Sequence, residues 1–295
     1  MYLQHAAHLR RWSFDPFEFS EADLETLLLE MFVELDVADL FEIDKDSVRR
    51  YLSEVRAMYR SANPYHNFRH AFDVTQALFV LLTTCGGAAF LRKEEVLALF
   101  LAAVAHDMGH PGQSNMYHVQ IASPFALQHN DRSVLESFHV SELFKMMAKK
   151  PSMNPLAKLP KPLYMTVRKL MVEVVLATDL SQHVDIVGQF SSIVDAFDRN
   201  KADHRLLLAK VLMKCADISN QLRPPDLACR WSELVQREFF LQGDLERSHD
   251  LAVSPFMNRL EPNTALMVTN FIRYIVQPIY ATLRRLLPSL QAGVS

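Results

Sequence analysis

The sequence predicts an all-α fold, with a single compact multi-helix domain over residues 1–295. Apolar residues recur at helical spacing in one segment after another. No stretch alternates with the period of two that a half-buried strand requires. The chain also holds only 7 glycines and contains neither GxGxxG nor GxxxxGK[ST], which removes the fingerprints of the Rossmann and P-loop folds.

The elements follow in chain order. In ADLETLLLEMFVEL, Leu24, Leu27, Leu28, Met31 and Phe32 share one helical face. The segment EEVLALFLAAVAHDM is apolar nearly all round and reads as a buried helix. DRSVLESFH places Ser133 and Glu136 at capping-box spacing, which marks a helix start. LYMTVRKLMVEVVLATDL, HRLLLAKVLMKCADIS and ALMVTNFIRYIVQPIYATLRRLL are further long apolar-periodic segments. Pro64, Pro111 and Pro124 mark turns or helix ends. KKPSMNPLAKLPKPL at 149–163, with four prolines and four lysines, reads as a solvated surface loop. No repeat or low-complexity tract is present.

Lys and Arg number 31 against 34 Asp and Glu, a formal net charge of −3. Such near balance offers no argument for a nucleic-acid or membrane surface. Cys85, Cys215 and Cys229 are sparse and odd in number, as expected of free thiols in a reducing compartment. The N-terminus has no apolar signal region, and the longest apolar run, near 96–105, is too short to span a bilayer. A cytoplasmic location is the expectation.

The chemistry is sought among the 12 histidines. In YHNFRHAFDV, His66 and His70 are four apart, which on a helix puts them on one face. In AVAHDMGHPG, His106, Asp107 and His110 end an apolar helix; LATDLSQH holds Thr178, Asp179 and His183; MKCADISN puts Asp217 at the end of another. Singly, such residues are more often caps or satisfied core groups. Together they are more than that. An unpaired carboxylate at the buried end of an apolar helix is costly, and a metal cation removes the difficulty. Imidazole suits Zn²⁺, Fe or Mn²⁺, and carboxylate with water suits Mg²⁺ or Mn²⁺. A carboxylate can bridge a second metal. No cysteine has zinc-finger spacing. His118, His129, His204 and His249 read as solvated, and His5 and His8 as terminal.

NPYHNFRHAFDV, HDMGHPGQSN, NDRSVLE, ATDLSQH and KCADISN, in this order, resemble the catalytic domain of class I cyclic-nucleotide phosphodiesterases, within the wider HD-domain metal hydrolases. The resemblance runs from near Trp12 to near Leu287. It implies hydrolysis of cyclic AMP or cyclic GMP to the 5′-monophosphate with two divalent metals, zinc with magnesium or manganese. By position it implies His70, His106, Asp107 and Asp217 as metal ligands, with Asp107 bridging. His66 matches the acid that protonates the leaving 3′ oxygen. Glu136, counted with His66 among the catalytic candidates, matches a group that holds metal-bound water, as do His110 and Thr178; Asp179 is their acidic neighbour. Tyr65 matches a pocket residue, Asn220 a base contact, Val235 and Phe239 the apolar wall, and Phe271 the aromatic that stacks on the purine. A neighbouring carboxylate is expected to keep His66 charged.

The departures cluster at the base. Val268 stands where the family has a glutamine, Asn270 where it has a glycine, and Ala228 where many relatives have a tyrosine. Of two histidines that often follow the glutamate, only His139 is present. Valine cannot hydrogen-bond a purine edge, so weaker or less base-selective binding is implied. Two other readings stand beside the enzyme: a nucleotide-sensing module with weak turnover, and an HD-type phosphohydrolase of non-cyclic nucleotides.

Overall fold

The computed structural model describes residues 8–293; His5 and both ends of the expected 1–295 domain lie outside the described residues. The first helices are α1 (Glu21–Glu34), α2 (Lys45–Met58), α3 (Phe68–Leu82) and α4 (Lys93–Ala105). Short α5 (Asn115–Gln120) and α6 (Pro124–His129) lead to α7 (Val134–Lys149), α8 (Lys161–Leu176), α9 (His183–Ile193) and α10 (Ala202–Asp217). The chain ends with α11 (Pro225–Ser248), α12 (Thr264–Phe271) and α13 (Gln277–Leu286). No strand occurs among the described residues. None of the helices searched is long and apolar enough to cross a membrane.

α4 is the axis of the packing. Val96 to Ala105 are all buried, as its lack of a polar face predicts. α3 and α8 flank it, and α3 also contacts α1 and α10. The predicted stripe of α1 (Leu24, Leu27, Leu28, Met31, Phe32) is wholly buried. Ser20 and Asp23 form a capping box that starts this helix. Two tyrosines of the α2 region satisfy carbonyls along α4: Tyr51 Oη donates to Leu101 O at 2.7 Å and Tyr59 Oη to Val104 O at 2.9 Å. Tyr59 Oη also accepts from the backbone N–H of Asp107 at 3.2 Å, so the end of α4 is held in place. Just beyond, Gly109 turns the chain with φ +78°; a Cβ there would lie 3.1 Å from the Phe138 ring.

Several sequence expectations require correction. Ser133 sits at the N-cap of α7 but makes no capping hydrogen bond: its backbone is left-handed (φ 40°), and its Oγ accepts from Gln182 Nε2 at 3.2 Å while its proton goes to Asp179. The helix does start there, at Val134. His66 is not on the helix of His70, because Asn67 caps α3 and the helix begins at Phe68. The last apolar segment is not one α-helix. Pro278 lacks the N–H that would bond back to Tyr274, and a π-turn at Ile272–Val276 joins α12 to α13, with the Gln277 N–H reaching Ile272 O. His118 and His204 are buried rather than solvated: His118 Nδ1 lies 3.1 Å from Ser123 Oγ, and His204 Nδ1 accepts from Asp198 N at 3.0 Å. In the 149–163 loop, Leu156 and Leu159 pack into the core while Lys150, Lys158 and Lys161 stay exposed.

A buried ion pair ties α3 to the chain after α10. Arg223 Nη2 lies 2.7 Å from Asp73 Oδ1, and its guanidinium also donates to the carbonyls of Trp12 and Asp73. Asn220 Nδ2 donates to Asp73 Oδ2 at 2.8 Å. Asp73→Ala leaves the arginine charge buried and unpaired, so it is expected to cost about 3–5 kcal/mol of stability. Chemical denaturation measures this; a loss under about 1 kcal/mol, the value of an exposed pair, would refute the role.

Candidate active site

The site forms where three helices end or begin. His70 comes from the first turn of α3, His106 and Asp107 from the end of α4, and Asp217 from the end of α10. His70 Nε2 lies 3.2 Å from Asp217 Oδ1 and 3.6 Å from Asp107 Oδ2. His106 Nε2 lies 3.2 Å from Asp107 Oδ2 and 3.3 Å from Asp217 Oδ1. Ligand atoms sharing one cation at about 2.0–2.2 Å are about 3.0–3.5 Å apart, so these spacings suit a metal.

The tautomer of His106 strengthens the case. Its Nδ1–H donates to Ala103 O at 2.8 Å, which aims Nε2 at two carboxylates. A bare lone pair facing two anions repels them; the position calls for a cation, either a proton or a metal. Burial opposes a charged ring, but Asp107 and Asp217 outweigh it and hold the His106 pKa well above its ordinary value. A divalent cation in place of that proton would satisfy His70, Asp107 and Asp217 at once.

Asp107 stands between two groups of donors. Its Oδ2 faces His70 and His106, while its Oδ1 lies 3.7 Å from Nε2 of His139. His139 Nδ1 donates to Met108 O at 2.8 Å, and burial pushes its pKa down to about 4, so its Nε2 is a bare acceptor. Asp107 and His139 thus turn acceptors towards a second place where an ion could be held, with His110 beside them. Asp107 can bridge the two groups.

His66 sits on the loop before α3, its side chain 27% exposed, with Nδ1 hydrogen-bonded to Glu238 Oε1 of α11. Glu238 Oε2 accepts the backbone N–H groups of Tyr65 at 2.9 Å and His66 at 3.0 Å. Burial works against a charged His66, but Glu238 outweighs it and lifts the pKa to about 9. The His110 ring stacks on His66 at 4.0 Å. Burial and the His66 charge keep His110 neutral, its pKa well below the ordinary value. Gly112 N donates to His110 Nδ1 at 3.0 Å, so His110 carries its proton on Nε2.

Glu136 is held by Asn115, whose Nδ2 donates to both carboxylate oxygens at 3.2 and 2.9 Å. Burial pushes the Glu136 pKa up to about 7 against that hydrogen bond, with Asp179 and Asp107 adding to the rise. Asp179 spends both oxygens locally, accepting from Ser133 Oγ at 2.8 Å and Ser181 N at 2.8 Å. Thr178 Oγ1 donates to Val175 O at 2.7 Å. Buried Lys214 fixes this stretch from α10, donating to the carbonyls of Ala177 at 2.7 Å and Asp179 at 3.1 Å.

These groups open into one cavity of about 410 Å³. Tyr65, His66, Asp107, His110, Glu136, Thr178, Asp179, Asp217 and Asn220 line it together with Val235, Phe239, Val268 and Phe271. His70 and His106 are fully buried and do not line it, but contact Asp107 and Asp217 from behind. One end of the cavity is ionic and the other apolar, the division expected for a phosphate ester with a flat organic group. Sequence reasoning assigned no role to Glu238, His139, Asn115 or Lys214. Glu238 shares the buried side of α11 with Trp231, Gln242 and Glu246, a face of mostly polar residues whose burial only the fold reveals.

Comparison with known proteins agrees with this geometry. A family model described as 3'5'-cyclic nucleotide phosphodiesterase matches residues 65–295. The 3',5'-cyclic-nucleotide phosphodiesterase regA of Dictyostelium discoideum is 35% identical over 96% of this chain and 36% of its own length. The mouse (Mus musculus) high affinity cGMP-specific 3',5'-cyclic phosphodiesterase 9A is 34% identical over 96% of this chain and 53% of its own. The chain therefore spans only about a third to a half of these relatives. Among solved structures, the phosphodiesterase domain of the RhoPDE fusion protein from the choanoflagellate Salpingoeca rosetta superposes with TM-score 0.92 at 31% identity, covering 99% of this chain and 93% of that one. With most of its length matched by the family model and its fold matched by a solved phosphodiesterase domain, the chain belongs to the 3'5'-cyclic nucleotide phosphodiesterase family.

Proposed function

We propose that residues 1–295 act as a catalytic domain that hydrolyses 3′,5′-cyclic nucleotides, cyclic AMP or cyclic GMP, to 5′-monophosphates. One observation carries this reading: His66, anchored on Glu238, lines the same cavity as the Asp107 and Asp217 carboxylates of the histidine–aspartate cluster. His70, His106, Asp107 and Asp217 would hold one divalent cation, zinc being suited to two imidazoles with two carboxylates. Asp107 would share a second, magnesium or manganese, otherwise ligated mainly by water. Bound there, the two cations would lower the pKa of a water and neutralise charge on the phosphoryl oxygens.

The chain's own groups do the rest. The attacking water enters opposite O3′, the P–O3′ bond breaks, and His66 passes the proton on its Nε2 to O3′. Nδ1 is committed to Glu238, so Nε2 is the nitrogen left for the leaving group. His110 stays neutral beside it and offers Nε2–H to water or phosphate. The Glu136 carboxyl, with a pKa near 7, can take a proton from water at the ionic end of the cavity. Phe271, Val235 and Phe239 give the base a stacking and apolar surface. The free thiols of Cys85, Cys215 and Cys229 suit a reducing cytoplasmic setting.

The test is turnover of cyclic AMP and cyclic GMP by protein loaded with Zn²⁺ and Mg²⁺ or Mn²⁺, followed by chromatography. Accumulation of a 5′-monophosphate is expected. Absence of it with both nucleotides, or hydrolysis of nucleoside triphosphates alone, would overturn the reading.

A further inference from the structure

We infer that Gln221 reads the purine edge in this chain, taking over the hydrogen bond that Val268 cannot make; the inference rests on the cyclic-nucleotide reading above. A base entering the apolar end of the cavity leaves water, and its ring N–H or amino group loses a partner unless the protein supplies one. Val268 and Phe271 line that end and offer none. Asn220 is held at both ends of its amide, which fixes its orientation: its Oδ1 accepts from Tyr65 Oη at 2.5 Å and its Nδ2 donates to Asp73 Oδ2 at 2.8 Å.

Gln221 is the next residue and lines the same cavity, as does Ser232. Its Nε2 lies 3.3 Å from Ser232 Oγ, while the Ser232 hydroxyl donates its single proton to Ala228 O at 2.9 Å. Ser232 therefore has only lone pairs to offer Gln221, and this sets the amide orientation: Nε2 towards Ser232, Oε1 away from it. Among the described residues no hydrogen bond reaches Oε1. Gln221 is half-buried, on the single turn Ser219–Leu222 between Asp217 and the buried Arg223, so its backbone is firmly placed.

A fixed acceptor selects a base with a donor on its six-membered ring. Adenine has the 6-amino group, and guanine has N1–H and the 2-amino group. Unsubstituted purine has only acceptors there. Gln221 thus acts as a specificity-determining contact, felt in KM more than in kcat.

The experiment compares cyclic AMP, cyclic GMP and the 3′,5′-cyclic phosphate of unsubstituted purine riboside, by steady-state kinetics and by calorimetric binding to metal-loaded protein. The better natural nucleotide should exceed the purine analogue roughly tenfold in kcat/KM and in affinity. Gln221→Ala should bring that ratio close to one, chiefly through KM. Val268→Gln added to Gln221→Ala should restore it. A ratio unchanged in Gln221→Ala, or an equal loss for all three ligands, overturns the inference while leaving hydrolysis intact. Binding without turnover would sink the hydrolytic reading alone, the affinity ratios still deciding the role of Gln221. No binding of any of the three would overturn both.

Discussion

Asp217→Ala is expected to strip the cluster of its tightly held metal and to lower kcat/KM by at least about 1,000-fold. The reason is local. Asp217 Oδ1 is 3.2 Å from Nε2 of His70 and 3.3 Å from Nε2 of His106, so one oxygen completes the set in which both rings take part. Its carboxyl stays ionised, because both histidines outweigh the effect of burial and hold its pKa well below the usual range. Without it, Asp107 is the one carboxylate among the described residues that faces both imidazoles. Metal analysis of the purified variant should show less than one tightly bound ion per chain, while helical content by circular dichroism stays that of the parent. Full metal content with full turnover would remove Asp217 from the site.

Three of the four clustered groups stood out in the sequence because they end apolar segments; His70, which opens one, did not stand out on that ground. His106 and Asp107 follow a run that is buried throughout, and Asp217 follows Cys215 and Ala216, both fully buried. A carboxylate at such a point has little water to fall back on and is costly without a partner. The stripe of α1 was legible for the complementary reason, since five apolar residues on one face have only one place to go. Glu238 was not legible. It lies 172 residues from His66, in a 24-residue helix rich in charge, and only the tertiary fold turns that side of α11 towards the loop of Tyr65 and His66. The Ser133–Glu136 pair marked the helix start but formed no capping hydrogen bond: the left-handed backbone of Ser133 turns its hydroxyl to partners distant in sequence, accepting from Gln182 Nε2 and donating to Asp179. Lys214 lies in the last turn of α10, among residues that pack, and two carbonyls from the 177–179 stretch justify its burial. In each case the missing information was a long-range partner, which periodicity does not carry.

The pairing of His66 with Glu238 governs the second large effect. His66→Ala is expected to lower kcat by about 10²–10⁴-fold, the usual contribution of a positioned acid, with metal content unchanged. Glu238→Gln should act through pH. In the parent, Glu238 holds His66 protonated against burial, with a pKa near 9. The acid is fully available below that value and is lost as pH rises through it, so activity should fall on an alkaline limb near pH 9. With glutamine at 238 the main raising influence disappears while burial still favours the neutral ring. The limb should then move down towards or below 6.5, the ordinary value for histidine, and turnover at pH 8 should fall steeply while recovering in part at pH 6. The glutamine can still accept the N–H groups of Tyr65 and His66, so the loop keeps its hydrogen bonds and the effect is on charge more than on folding. Glu136 sets the opposite limb: its pKa near 7 means its carboxylate is lost as pH falls through that value. The two limbs together predict a profile highest between about 7 and 9 in the parent, and a narrow, depressed one in Glu238→Gln. An alkaline limb that stays in place in Glu238→Gln would show that His66 is not the group that titrates there. In that case the proton for O3′ would have to come from another donor in the cavity, with His110 the nearest ring to His66.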